Sequence, residues 1–160
     1  MNKILVAYFS HSGNTAEIAK LIHKKVGGDI FEIQPIETYP DDYNSVVRKA
    51  KQELESGFKP KLKTKLDDVK SYNLIFIGYP NWWSTMPMPV VAFLSEYDFS
   101  GKTIMPFCTH EGSRLGRSES DIAGLCPKST IMQGLAVRGS SAKLAQREVS
   151  EWLAITDIEK

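Results

Sequence analysis

The chain has 160 residues, 42% hydrophobic and 24% charged, with 20 Lys and Arg against 19 Asp and Glu for a formal net charge of +1. That length fits one domain over residues 1–160 with a sizeable core. The charge balance gives no global electrostatic reason to expect nucleic acid or a membrane surface as partner. Cys108 and Cys126 provide neither a disulfide framework nor the close pairing of a structural zinc site.

After Met1-Asn2-Lys3 only six apolar residues follow, Ile4 to Phe9, too few for a signal peptide or for a span of about 20 residues. A reduced, cytoplasmic chain is the expectation. The same run is continuous and apolar, the pattern of a strand buried on both faces of a parallel sheet. Beyond the polar break Ser10 to Asn14, Ile18, Ala19, Ile22 and Val26 recur at helical spacing, and Gly27-Gly28 stops the helix. Asp29 to Gln34 reads as a second strand, with a turn-rich loop through Pro35, Tyr39 and Pro40.

Asp41 or Asp42 caps the next helix, whose inner face is Tyr43, Val46, Val47, Ala50 and Leu54. A basic connector, Lys59, Lys61, Lys63 and Lys65, reads as a solvated surface loop. Leu74 to Tyr79 is another fully buried strand, and a helix from about Pro89 buries Val90, Phe93 and Leu94. Thr103 to Cys108 forms a strand with Pro106 near its end, and a helix runs through Ile122 and Leu125. Ser129 to Val137 is the last strand, where Gln133-Gly134 marks an edge or a bulge. Ala145, Val149, Trp152 and Leu153 line the closing helix. Strands and helices in alternation predict an α/β fold, a doubly wound five-stranded parallel sheet with helices on both faces.

In such a sheet ligands bind at the carboxyl ends of the strands, near the point where strand order reverses. Three loops leaving those ends carry unusual chemistry. Ser10-His11-Ser12-Gly13-Asn14-Thr15 offers hydroxyls and free N–H groups at a helix start, a phosphate cradle without Lys or Arg. The bland alternative is a helix capped by Ser12 or Asn14. The Gly-Lys-Ser/Thr of triphosphatases and the glycine fingerprint of dinucleotide sites are both missing. Pro80-Asn81-Trp82-Trp83-Ser84 places two indoles in a loop stiffened by prolines, costly to expose and suited to stacking on a flat ring. Thr109-His110-Glu111-Gly112-Ser113-Arg114 has glycine-freed backbone able to meet a heteroaromatic edge. Arg117 falls on a helix exterior.

With these loops the chain resembles the flavodoxin family nearly end to end. Ser10 to Thr15 is similar to the family's hydroxyl-x-hydroxyl-Gly-x-Thr loop. Tyr39-Pro40-Asp41-Asp42-Tyr43, Gly78-Tyr79-Pro80-Asn81-Trp82-Trp83, Glu111-Gly112-Ser113 and Gly116-Arg117-Ser118 resemble one subgroup of it. The resemblance implies strand order 2-1-3-4-5 and noncovalent FMN. Ser10, Ser12, Asn14 and Thr15 would hold the phosphate through side chains, His11 and Gly13 through backbone. The ring would lie between 80–84 and 109–113, with Pro80, Asn81, Trp82, Trp83 and Ser84 on one side. Thr109, His110, Glu111, Gly112 and Ser113 would stand on the other, and Tyr39 at the far edge.

Two departures stand out: the chain is not acidic, and Arg114 occupies a position where the subgroup has small residues. The function implied is electron transfer through FMN to redox partner proteins or small-molecule acceptors, by a monomer or weak dimer. The alternative is an FMN-dependent NAD(P)H oxidoreductase acting on quinones, with His110 or Tyr39 polarising the acceptor. A third reading is a partner-binding module without FMN.

Overall fold

The structure, a computed structural model, describes residues 3–156, so the ends of the expected 1–160 domain (1–2 and 157–160) lie outside the described residues. The chain alternates strand and helix: β1 (Ile4–Tyr8), α1 (Asn14–Val26), β2 (Asp29–Glu32), α2 (Tyr43–Ser56), β3 (Leu74–Pro80) and α3 (Met88–Glu96). Then come β4 (Thr103–His110), α4 (Ser118–Leu125), β5 (Thr130–Ile131), β6 (Leu135–Arg138) and α5 (Gln146–Ile155). The sheet runs β2-β1-β3-β4-β5, with β6 also on β4, and every pairing is parallel. That is the predicted order and fold class.

Alternate residues of the central strands feed opposite cores, as strand geometry requires. Leu5, Ala7, Ile75, Ile77, Tyr79 and Ile104 pack with Val90 and Phe93 of α3 and Ile122 of α4. Ile4, Val6, Phe76, Met105 and Phe107 pack with Ile18 and Ile22 of α1 and Val149, Trp152 and Leu153 of α5. The apolar runs of β1 and β3 are continuous because both faces are covered.

The predicted final strand is two. In a regular parallel ladder each residue's N–H and C=O reach two different neighbours on the next strand. Met132 N–H donates to the Ile104 carbonyl at 2.9 Å, so the next bond along would come from the nitrogen of residue 106, which is Pro106 and has no hydrogen. The chain leaves the ladder there and rejoins it with Leu135 opposite Phe107. Gly134 allows the detour: a Cβ on it would stand 3.1 Å from both Leu115 and the Pro106 carbonyl.

The connector 59–65 is less loose than expected. Leu62 is buried while Lys61 and Lys63 point out, and Ile36 and Lys63 N–H groups donate to Lys61 and Gln34 carbonyls across a short antiparallel bridge. The Asp42 carboxylate caps α2 by accepting from Ser45 N–H at 3.0 Å, and Gly57 ends the helix in the left-handed region. Among the described residues no helix is long and apolar enough to cross a membrane.

Candidate functional site

The carboxyl ends of β1, β3 and β4 lie side by side because these are adjacent strands, and hydrogen bonds lock together the loops that leave them. Thr15, 1% exposed at the start of α1, meets Thr109 of β4 hydroxyl to hydroxyl at 2.8 Å. Asn81 N–H donates to the Thr109 carbonyl at 2.8 Å, and the Asn81 amide NH2 donates to the Arg114 carbonyl at 2.6 Å. One rim is thus built from three chain segments.

At the first loop neither Ser12 nor Asn14 caps α1. Gly13 stands at the N-cap with φ 99° and no side chain to offer. Ser10 does the capping from outside the helix, its Oγ accepting from Gly13 and Ala16 N–H groups at 3.2 Å each. Both acceptor positions are then used, and among the described residues the hydroxyl hydrogen is left for another partner. The N–H groups of Asn14 and Thr15, first in the helix, have no intrahelical acceptor and form the helix's positive end. A Cβ at Gly13 would meet nothing within 4 Å, so this cradle is open on its outer side. His11 bonds the Pro40 carbonyl through Nε2 at 2.9 Å, tying the loop to the turn before α2.

The second loop sends its two indoles in different directions. Trp82 packs edge-on against Phe9, His11 and Tyr39, with ring centroids 5.5, 5.9 and 5.1 Å away. Trp83 is 43% exposed, donates Nε1–H to the Val47 carbonyl of α2 at 3.0 Å, and lies under the Lys51 ammonium. The divergence follows from a two-residue hairpin in which Trp82 and Thr85 exchange both backbone hydrogen bonds. Its tip residues, Trp83 (φ 55°) and Ser84 (φ 67°), both have positive φ, the signs of a type I′ turn that Asn-Gly would satisfy without strain. Arg114 in the third loop has φ 56°. Among the described residues these are the only non-glycines with positive φ, and they sit in the two loops that flank the rim. Such conformations cost about 1–3 kcal/mol each and persist only where surroundings enforce them.

Here the enforcement is visible. The Ser84 carbonyl accepts Arg117 N–H at 2.7 Å, and a Cβ on Gly116 would come within 2.3 Å of that carbonyl. The Ser84 backbone therefore braces the third loop. Ser113 closes a turn with Gly116, and Arg117 lies on the exterior, paired with Asp121.

His110 is 8% exposed and its Nδ1 accepts Gly112 N–H at 2.9 Å, which places the ring hydrogen on Nε2. Burial, then Arg138 and Arg114, push its pKa down against a smaller upward pull from Glu111. Burial pushes the Cys108 thiol up to about 12, with Glu119 adding to it, so this cysteine is a packed apolar group, its S–H on the Arg114 carbonyl. Tyr39 is raised by burial and by its hydrogen bond to the buried Glu53 carboxylate.

Sequence reasoning missed the contribution of the turn after β6. Ser140, Lys143 and Leu144 join Asn14 and Glu111 around an open cavity of about 600 Å³. The side chains of Glu111 and Asn14 crowd over Gly139, where a Cβ would stand 2.6 Å from one and 2.7 Å from the other. The signal was Gly139 itself, a small residue at the end of a strand. Asn14 thus turns its amide toward this cavity, and Thr15 turns its hydroxyl inward to Thr109.

No curated protein matches the chain. A candidate flavoprotein from Bacteroides eggerthii is 31% identical with a TM-score of 0.85, covering 97% of this chain and 98% of that one. A flavoprotein from Lactobacillus acidophilus, solved in complex with FMN, is 22% identical with a TM-score of 0.75, covering 90% and 98%. An apo-form NADH:FMN oxidoreductase is 17% identical with a TM-score of 0.61, covering 98% and 88%. The family model described as Flavodoxin matches residues 3–156, and the chain belongs to the flavodoxin family.

Proposed function

We propose that the rim formed by residues 10–15, 80–82 and 109–113 binds FMN noncovalently, and that the protein carries electrons between redox partners. The observation that carries this reading is the locking of the three loops through Thr15, Asn81 and Thr109 beside an open helix N-terminus. The residues present fit a phosphate on a flat ring. The N–H groups of Asn14 and Thr15 and the Ser10 hydroxyl supply donors at the positive end of α1. Ser12 is exposed at the same loop. Trp82, with Phe9 and Tyr39 behind it, supplies an aromatic wall. The structural neighbour solved with FMN has the same fold.

Bound FMN would supply the electron chemistry, as cofactors do. The chain's own part is to fix and shield it. His110, at the end of β4, keeps the third loop in shape by accepting Gly112 N–H through Nδ1. Trp83, held on α2, is the more exposed indole and the less suited to a wall.

The test is an anaerobic reductive titration of FMN-loaded protein, followed by NADPH. Tight binding with stepwise, one-electron reduction and slow NADPH oxidation supports an electron carrier. Rapid steady-state NADPH oxidation with a quinone acceptor moves the assignment to an NAD(P)H oxidoreductase.

A further inference from the structure

Asn81 holds the rim together with two donors and leaves its acceptor unused. Its backbone N–H goes to Thr109 and its NH2 to Arg114, while Oδ1 is enclosed and is the only buried side-chain N or O among the described residues with no hydrogen-bond partner. The amide cannot be turned round. A flip would set Oδ1 against the Arg114 carbonyl at 2.6 Å, acceptor facing acceptor. An enclosed carbonyl without a donor carries a desolvation cost that a bound donor relieves. The next residues form the Trp83–Ser84 hairpin, whose two tip residues both hold positive φ.

We infer that Asn81 Oδ1 is the acceptor that reads a ring N–H of the bound flavin. This rests on the FMN reading above and extends it to the side chain that selects the ring's donor edge. The oxidised ring has one N–H, at N3, and two-electron reduction adds another at N5. Asn81 is tied to both Thr109 and Arg114, so it holds this acceptor at a fixed place between the second and third loops.

The experiment compares wild type and Asn81→Ala with FMN and N3-methyl FMN, by quenching of flavin fluorescence, and measures the potential of each FMN-loaded protein. If Oδ1 meets N3–H, wild type binds FMN about tenfold tighter than the methylated ring, and Asn81→Ala removes most of that difference. If it meets the hydrogen gained at N5, affinities for the oxidised ring stay close and Asn81→Ala has the more negative potential. Either result supports the inference. Equal affinities and equal potentials overturn it. The wild-type comparison of the two ligands tests the N3 contact even if the variant folds poorly, and a urea melt of both apoproteins shows whether it does. Failure of wild type to bind FMN at all overturns the parent reading and not this step alone.

Discussion

Thr15 and Thr109 meet hydroxyl to hydroxyl at 2.8 Å although 94 residues separate them, and both are buried. This contact sets the start of α1 against the end of β4 beneath the proposed phosphate cradle. Replacing Thr15 by Val keeps the shape and strands the Thr109 hydroxyl without its partner. The expected loss is about 1–3 kcal/mol of folding stability, read as a lower urea midpoint at unchanged slope. Thr15→Ser restores most of the loss.

The Trp83–Ser84 turn places side chains where glycine would sit without strain. Ser84→Gly is expected to raise apoprotein stability by about 1 kcal/mol, for a Tm gain of roughly 2–4 °C. Gly116→Ala goes the other way, because its Cβ would stand 2.3 Å from the Ser84 carbonyl, which is backbone that cannot swing aside. Thermal melts of the two variants should bracket wild type.

His110 gives the third loop a pH dependence of known sign. Its pKa is lowered in the folded protein by burial and by Arg138 and Arg114. The folded state therefore binds the proton less readily than the unfolded state. Stability from this group is full above the ordinary histidine value of about 6.5 and is lost as pH falls toward the lowered folded value. A protonated ring also cannot accept Gly112 N–H. Between pH 7.5 and 5.5 wild type should lose more Tm than His110→Gln, and the His110 ring should titrate below 6.5 by NMR. Equal losses would show that His110 does not set the response.

Arg114 adds exposed positive charge to a loop of the proposed ring site. Arg114→Gln should make the potential of bound FMN more negative, because positive charge favours an anionic reduced ring. The difference should shrink as salt screens it. A potential that stays put at low salt would place the guanidinium too far away to act.

The layered sheet was legible because β1 and β3 announce themselves as unbroken apolar runs, which only a doubly covered sheet asks for. The three loops followed from that order. What was hidden depended on contacts far along the chain. Pro106 stood out as a proline in a strand, yet its effect falls on the neighbouring strand, where it ends β5. Two adjacent tryptophans read alike in sequence, but positive φ at Trp83 sends it to α2 while Trp82 turns to Phe9. Ser10 capping α1 from outside the helix has no sequence signal beyond a glycine where a cap residue should stand.

The most direct measurement titrates purified apoprotein with FMN and, separately, with riboflavin, following flavin fluorescence. Saturable quenching at one FMN per chain, with riboflavin binding at least tenfold more weakly, is the predicted result, since the proposed cradle at Ser10 to Thr15 would hold the phosphate that riboflavin lacks. Flavin fluorescence unchanged by excess protein would contradict it.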